Sequence, residues 1–324
     1  MSTPKVTDFM INLSKDLVEK KSVAESTAHA YVRTMFVLNG KEPFKTLSFL
    51  RNKDEIKKKV DEYAESTKKT VLASIVSVLS LVQDKSTYKG LYKHYHDLMM
   101  EAVKANKDKD TSDKTEKQKE NWIDWKDIMD LNKSQRLKML EFASKKTLTH
   151  SESEQVLNTL ILSLYTCIQP RRNQDYLDMM VVKKWSEDLP KDKNYLDLTG
   201  SRFIFNKYKT AKKYGVQTVA IPNDTENPLM DVLVAYLKHN ADFKTTKGKT
   251  PTPFLVTVDG KPLTAGNSIT RILNRIFGKK VGSSMLRHIF ITDKYGDLKN
   301  EMIADSVAMG HSVDEQQNTY NVPN

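Results

Sequence analysis

Three residue types near the end of the chain suit one kind of chemistry. Arg287 lies in the string MLRH, His311 lies in the string MGH, and Tyr320 follows nine positions after His311. An arginine can hold phosphate oxygens, a histidine can donate a hydrogen bond, and a tyrosine can act as a nucleophile. Their order therefore suits covalent attack on a DNA phosphodiester, and the remaining parts of such a site must come from upstream residues.

An arginine pair, Arg171 and Arg172, stands directly after an apolar helix that is predicted to end at Pro170. The string is QPRRNQDY, and Asp175 comes three places after Arg172. A planar guanidinium held at a rigid junction suits bidentate contact with phosphate oxygens. Taken alone, the pair is better explained as surface arginines beside a helix end.

A lysine-rich string, NKYKTAKKYG, joins two predicted strands. Lys209 lies on the tip of this predicted hairpin, from where a lysine can reach DNA and protonate a leaving oxygen. Lys212 and Lys213 compete with it for that role. A solvated basic turn is the plain structural alternative.

The last elements are predicted to be helical. Arg287 has apolar neighbours on both sides, which predicts a half-buried helix with Arg287 on its polar edge. A further helix is predicted over residues 300–309, ending at Gly310, because glycine tolerates a left-handed C-cap. The string SVDE after His311 has the spacing of a capping box. We therefore expect His311 at a tight corner between two helices, with Tyr320 about two helical turns later.

Composition limits the class of protein. The chain has 324 residues, of which 39% are hydrophobic and 29% are charged, so it can form about two globular domains with sizeable cores. The formal net charge of +11 favours polyanionic partners. Cys167, the single cysteine, cannot form an internal disulfide, and the N-terminal string MSTPKVTDF lacks the layout of a secretion signal. No apolar run approaches the roughly 18–20 residues that cross a membrane. We expect an intracellular protein.

The spacing of apolar residues and of glycine and proline predicts the organisation. No proline occurs between Pro43 and Pro170, which favours helices, including a buried one around Val71, Ile75 and Leu79. Residues 104–121 are almost wholly polar and are predicted to be a charged linker or a solvated helix extension, with a surface loop as the alternative. The predicted domains are 1–103, helical, and 122–324, catalytic.

A strand-like section lies inside the second predicted domain. Three short apolar runs, at residues 195–198, 202–205 and 216–221, are separated by turns that contain Gly200 and Gly215. This pattern predicts a small antiparallel sheet. The fold class expected from the sequence is therefore mainly α with a small antiparallel β-sheet.

Together, the arginine, the hairpin lysine, the second arginine, the histidine and the tyrosine resemble the tyrosine recombinase (phage-type integrase) superfamily. The resemblance spans about residues 150–320, and the helical N-terminal region is similar to the core-binding domain of that family. The form Pro-Arg-Arg-x-x-Asp-Tyr looks most like integrases of large DNA viruses, virophages and related mobile elements.

The resemblance implies a role for each motif residue. The family's catalytic residues fall on Arg172, Lys209, Arg287, His311 and Tyr320. Asp175 matches the acidic residue that follows the first arginine, and Arg171 is a close rival of Arg172. The family often has a histidine where this chain has Ser284, and a serine can donate a hydrogen bond but is not an acid or base near neutral pH.

The family's chemistry sets the further expectations. Tyr320 would form a 3′-phosphotyrosyl link to double-stranded DNA and release a 5′-hydroxyl, without a cofactor or a metal ion. The protein would act as a homotetramer on DNA, away from membranes, in a host nucleus or a viral factory. The alternatives are a DNA-relaxing enzyme of the type IB topoisomerase kind, a non-catalytic DNA-binding relative, and a basic helical protein unrelated to DNA.

Overall fold

The computed structural model describes residues 6–82, 86–107, 114–142, 145–225, 227–310 and 313 of the chain. The chain divides between Asp113 and Lys114 into two compact units, each with its own hydrophobic core. Helices dominate the described residues, which confirms the prediction of a mainly helical protein. No helix in the described part of the chain is both long and apolar enough to cross a bilayer.

The first unit is helical throughout its described elements. These are α1 (Asp8–Lys21), α2 (Glu25–Leu38), a 3-10 helix (Ser48–Arg51), α3 (Lys53–Asp61), α4 (Glu65–Leu79) and α5 (Ser86–Lys107). Helix α4 lies at the centre of the core, with Val71, Ile75 and Leu79 buried along one side. The buried helix predicted from these three residues is confirmed.

The hydroxyl groups of Thr7 and Tyr95 join helices of this core to backbone carbonyls elsewhere in the first unit. The Thr7 side chain accepts a hydrogen bond from the Met10 amide, which caps α1, and donates one to the Phe44 carbonyl at 2.6 Å. Tyr95 is fully buried in α5 and donates to the Leu50 carbonyl at 2.8 Å. A buried hydroxyl needs such a partner, because leaving it unpaired costs about 1–3 kcal/mol. Burial also raises the pKa of Tyr95.

The polar segment 104–121 is helical at both of its described ends. Helix α5 continues through residue 107, and α6 (Glu116–Asn121) begins at a capping box formed by Thr115 and Gln118. Asn121 is buried, and its side-chain oxygen accepts a hydrogen bond from the Lys280 amide at 2.8 Å. The end of the segment therefore packs into the second unit.

The second unit combines helices with one small sheet. The helices are α6, α7 (Trp125–Phe142), α8 (His150–Thr166), α9 (Asn173–Tyr176), α10 (Ala211–Tyr214), α11 (Leu229–His239), α12 (Ala241–Thr246), α13 (Ser268–Phe277) and α14 (Ser283–Met309). The strands are β1 (Met180–Val182), β2 (Tyr195–Asp197), β3 (Arg202–Phe205), β4 (Gln217–Ala220) and β5 (Thr252–Pro253).

The sheet has the order β4-β3-β2-β1-β5 and is mixed. The predicted antiparallel part is present, because β3 pairs with both β2 and β4 in antiparallel register. The whole sheet is mixed rather than antiparallel as predicted, because two further strands join it and β1 runs parallel to β2, with Met180 opposite Tyr195. Residues 183–194 cross one face of the sheet between these strands, which lets both strands run in the same direction. Trp185 and Leu189 in this crossing pack on Ile204.

Helix α8 and the sheet enclose an aromatic cluster in the core. The rings of Tyr165, Tyr176, Phe203 and Phe205 are buried, and Tyr176 contacts the other three edge to face at 5.9–6.1 Å between centroids. Edge-to-face pairs add about 0.5–1.5 kcal/mol beyond the burial of their area. The cluster therefore forms a rigid platform directly beneath the arginine pair.

The end of the second unit differs from the prediction. We predicted one helix around Arg287 and another over residues 300–309, but α14 is a single helix of 27 residues. Its first part packs through buried Leu286 and Ile289, whereas Val307 is 75% exposed. The predicted left-handed C-cap is confirmed, because Gly310 has φ of 77°.

Candidate nucleic-acid interface

The arginine pair follows α8 and is anchored by a chain of hydrogen bonds. Tyr165, fully buried in α8, donates to the side-chain oxygen of Asn173 at 2.7 Å. The Asn173 amide then donates to the hydroxyl of Thr270 on α13 at 2.8 Å. The short helix α9 is therefore fixed to two long helices at once, and Arg172, its N-cap residue, is held at a defined position.

Arg171 is part of the core. Its Nε donates to Asp175 at 2.9 Å, its Nη1 donates to Gln217 at 2.9 Å, and its guanidinium lies 3.8 Å from the centroid of the Phe205 ring. The Arg171 side chain is 16% exposed and that of Asp175 only 3%. Through these two hydrogen bonds and its stacking on Phe205, Arg171 holds α9 against the sheet.

Arg172 and Arg287 converge on the same place, although 115 positions separate them in the chain. Burial lowers the pKa of Arg287, and the positive charge of Arg172 lowers it further, while Tyr165 and Asp175 oppose the shift. Both arginines are half-buried. Like charges that act on each other in this way repel, and an anion bound beside both arginines would relieve the repulsion.

The carboxyl group of Asp175 lies among three arginines. Burial raises its pKa, while the charges of Arg171, Arg172 and Arg287 act in the opposite direction. One carboxylate cannot neutralise three guanidinium groups, so the cluster keeps an excess positive charge. Such an excess beside solvent is an anion-binding feature.

Ser284 and Arg287 stand together at the start of α14. The Nη2 of Arg287 donates to the Ser284 hydroxyl at 3.0 Å, and its Nε donates to the Ser283 carbonyl at 3.3 Å. These bonds orient the guanidinium toward the first turn of its own helix. Ser284 therefore lies beside Arg287, at the position where the resemblance places a histidine.

The predicted hairpin is present, with Lys209 in its connection. Strands β3 and β4 are joined by residues 206–216, and α10 occupies part of this connection, which is longer than the predicted tight turn. Lys209, Lys212 and Lys213 are all exposed. Tyr208 faces the guanidinium of Arg171 at 5.2 Å from its ring centroid, so the connection borders the arginine segment.

Asn194 joins the hairpin to the arginine segment. It is 3% exposed, and its amide donates to the carbonyls of Asp175 and Lys207 at 2.8 and 2.9 Å. Its oxygen accepts from the Lys207 amide at 2.8 Å. One buried side chain therefore sets the position of the lysine-bearing connection relative to α9.

Replacing Asn194 with alanine is expected to destabilise the second unit by about 2–4 kcal/mol, because the buried backbone groups that it satisfies lose their partners. All three tryptophans, Trp122, Trp125 and Trp185, lie in the second unit, so urea unfolding followed by tryptophan fluorescence reports on that unit. Asn206→Ala, which removes one bond to the Lys193 carbonyl, is the matched control and should cost less. Equal effects of the two variants would contradict the bridging role of Asn194.

The structure brings together Arg172, Arg287, Ser284 and Asp175, with the Lys209 connection beside Arg171. His311 and Tyr320 lie outside the described residues. Gly310, which precedes His311, is 23 positions beyond Arg287 on the same helix. At a rise of 1.5 Å per residue, that separation is roughly 35 Å along the helix axis.

Several residues that build this site were missed in the sequence. Asn173, Asn194, Gln217 and Thr270 hold the arginine segment and the hairpin through side-chain hydrogen bonds. They belong to different elements, and nothing in the spacing of polar residues along one chain reveals such partners. The one available signal was Asn173 itself, which directly follows the arginine pair.

Comparison with family models, with curated proteins and with solved structures gave no match for this chain. Among the described residues, no group of three or more His, Cys, Asp or Glu side chains is placed to hold a metal ion. The site is therefore described by its own geometry: a pair of converging arginines, a carboxylate among them, and an adjoining basic hairpin.

Proposed function

We propose that this protein is a site-specific DNA recombinase of the tyrosine recombinase kind, which cuts and rejoins double-stranded DNA through Tyr320. The observation that carries the proposal is the arginine segment itself: the ion pair of Arg171 with Asp175 fixes α9, whose N-cap residue is Arg172, and the charges of Arg172 and Arg287 both act on Asp175. Two half-buried guanidinium groups, brought together from distant parts of the chain, suit the two non-bridging oxygens of a phosphodiester.

The reaction follows from the chemistry of these groups. The phenolic oxygen of Tyr320 gives its proton to solvent water and attacks the scissile phosphorus, a phosphorus–oxygen bond forms, and the bond to the 5′-oxygen breaks. Arg172 and Arg287 stabilise the negative charge that grows on the non-bridging oxygens. Lys209 donates a proton to the leaving 5′-oxygen. The energy of the broken bond is kept in the phosphotyrosyl link, and a 5′-hydroxyl of a second DNA reverses the step in a homotetramer on DNA.

The test is a duplex with a nick close to each cleaved position, from which a short fragment diffuses away and traps the covalent adduct. We expect a protein–DNA adduct that survives denaturing detergent, with phosphate on the tyrosine and a free 5′-hydroxyl on the fragment. DNA from the ends of the element that carries this gene supplies the substrate. Recombination between specific sites supports a recombinase, whereas relaxation of supercoiled plasmid without site preference supports a topoisomerase. Binding without any adduct supports a non-catalytic relative.

The proposed mechanism requires α14 to bend. His311 must come close to Arg287, yet Gly310, the residue before it, lies roughly 35 Å from Arg287 along the helix axis. Gly296 lies between them, and glycine in a helix interior costs about 0.5–1 kcal/mol relative to alanine, which makes it the weakest point of the helix. Beyond it, Leu298 and Val307 expose apolar surface that a bend could bury.

Spin labels at the exposed positions His288 and Val307 measure this bend. Nineteen positions correspond to roughly 28 Å in a straight helix, and we expect the distance to fall below about 20 Å on DNA, as for helices packed 8–10 Å apart. Cys167 is buried and burial raises its thiol pKa, so the labels attach to the introduced cysteines.

The matched variant is Gly296→Ala, whose added carbon meets only the Thr292 side chain at an ordinary 3.8 Å. It should strengthen the straight helix and reduce the fraction of molecules that show the short distance. A control label pair at His288 and Val234 includes no residue beyond Gly296. Its distance should be the same in the free protein and on DNA. An unchanged distance between His288 and Val307 in a complex that forms adducts would refute the bend.

A further inference from the structure

The tip of the β3–β4 hairpin carries exposed apolar side chains that the proposed chemistry does not use. Tyr214 is 57% exposed and Val216 is 58% exposed, on either side of Gly215. We define residues 207–216 as the hairpin tip. Two large apolar groups so close together on a solvated loop are available to a binding partner.

The hairpin tip is strongly basic. Lys207, Lys209, Lys212 and Lys213 are all exposed, and no acidic residue occurs anywhere in the stretch 198–223. A run of lysines with no carboxylate partner among the described residues attracts a polyanion by releasing its counterions. The partner that matches this charge and also takes an aromatic ring is a nucleic acid.

The tip is also held rigidly. Tyr208 donates a hydrogen bond to the Gly215 carbonyl at 2.8 Å, which closes the connection. The amide of Gly215 donates to the Ala211 carbonyl at 2.8 Å, and its φ of 67° and ψ of −161° lie where other residues are strained. Tyr214 is therefore presented in a fixed direction, which limits the entropy that binding costs.

The tip lies next to the arginine segment. Arg171 stacks on Phe205 at the end of β3 and faces Tyr208 within the tip, and Arg172 is the next residue in the chain. The hairpin tip therefore borders the segment that carries Arg172, and DNA bound at that segment would pass near the tip.

We infer that Tyr214, supported by Val216, is an apolar wedge that contacts a DNA base beside the scissile phosphate. The inference rests on the proposed function for DNA as the partner, and it adds a base contact to a hairpin otherwise assigned only a proton-donating lysine. An apolar side chain inserted between two stacked bases separates them. An aromatic ring can stack on any of the four bases, so this contact does not depend on the DNA sequence.

The experiment uses the full chain and duplexes that carry 2-aminopurine at successive positions around the nick, at one fixed salt concentration. In the wild type, the fluorescence of one or two positions should change on binding. Tyr214→Ala should weaken binding roughly 5- to 100-fold, the range found when a stacked aromatic residue is removed, and should abolish the fluorescence change. Tyr214→Phe keeps the ring and should restore both.

The chain offers a closely matched control. Lys294 and Tyr295 on α14 repeat the local arrangement, with the lysine nitrogen 5.3 Å from the ring centroid, against 5.1 Å for Lys213 and Tyr214. Tyr295 is 43% exposed. Tyr295→Ala should leave binding and fluorescence unchanged, and circular dichroism should show both alanine variants folded.

Substitutions of a lysine and of the Tyr214 ring should change the salt dependence of DNA binding differently. Lys212→Ala should reduce the slope of log affinity against log salt by about 0.9 if it contacts one phosphate. Tyr214→Ala should leave that slope unchanged, because it removes no charge. A loss of slope with Tyr214→Ala would contradict a stacking role.

The inference and the proposed function fail in different ways. If no covalent adduct forms but Tyr214→Ala still weakens DNA binding, the recombinase proposal is wrong and the wedge stands. If adducts form normally, and Tyr214→Ala binds DNA and changes the 2-aminopurine fluorescence like the wild type, the wedge is refuted. Tyr214-dependent binding to anionic phospholipid vesicles, without any 2-aminopurine response on DNA, would overturn it in favour of a membrane surface.

Discussion

Tyr320→Phe forms no covalent adduct on the nicked duplex, while its binding to the same DNA persists. This is the expected result because phenylalanine keeps the ring and removes only the oxygen that would bond to phosphorus. A free tyrosine has a pKa of about 10 and is a weak nucleophile, so no other tyrosine should replace it without a similar arginine pair nearby. Gel analysis under denaturing conditions measures the adduct, and anisotropy measures binding.

Tyr295→Phe is the control for this substitution, because Tyr295 is an exposed tyrosine outside the proposed chemistry. It should form adducts at the wild-type rate. The chain has 13 tyrosines, so peptide mapping of the wild-type adduct must identify the modified one. Full adduct formation by Tyr320→Phe would show that Tyr320 is not the nucleophile.

Much of the scaffold was predictable from local patterns. The apolar spacing in α4 and α8 indicated buried helices, because residues three and four positions apart share one face. The β2–β3–β4 meander was predicted from three short apolar runs separated by Gly200 and Gly215. These signals are local, so one sequence is enough to read them.

The parts that depend on distant contacts were not predictable. Strand β1 is three residues long, and its parallel pairing with β2 depends on the crossing of residues 183–194 over the sheet. The length of α14 was also missed, because Gly296 and Asp297 suggested no helix centre, yet the helix runs through both. Helix continuity across a glycine is decided by small differences in free energy, of about 1 kcal/mol.

The candidate site also depends on distant contacts, so only the types and order of its residues could be predicted. The order of arginine, lysine and arginine could be read directly, but the choice between Arg171 and Arg172 could not be made from it. Both precede a short helix and both are followed by Asp175 within four positions. Only the packing distinguishes them, since Arg171 turns inward to Asp175 and Phe205 whereas Arg172 is the N-cap residue of α9, and its charge acts on Arg287.

Alanine substitutions at these two neighbours should therefore have opposite consequences. Arg171→Ala removes the hydrogen-bonded partner of the buried Asp175 carboxylate, and breaking a buried ion pair costs about 3–5 kcal/mol, although the charges of Arg172 and Arg287 reduce that cost here. It also removes the bond to Gln217 and the contact with Phe205. We expect the second unit to unfold at clearly lower urea concentration, as measured by tryptophan fluorescence.

Arg172→Ala should leave stability within about 0.5 kcal/mol of the wild type, because its side chain makes none of the hydrogen bonds that hold the segment. Adduct formation should fall by about 10²–10³, the usual cost of removing one donor that stabilises transition-state charge. Arg287→Ala should lose activity to a similar extent. Arg172→Lys should recover DNA binding more than cleavage, since lysine keeps the charge but not the bidentate geometry.

The comparison of the two neighbours decides which arginine serves the reaction. Each purified variant is assayed for unfolding, for DNA affinity and for the rate of adduct formation, so a loss of activity through unfolding is separated from a loss of chemistry. A folded, inactive Arg171→Ala beside a fully active Arg172→Ala would reverse the assignment. Because Arg171 is bound on three sides and Arg172 adjoins a second guanidinium, we expect stability to depend on Arg171 and cleavage on Arg172.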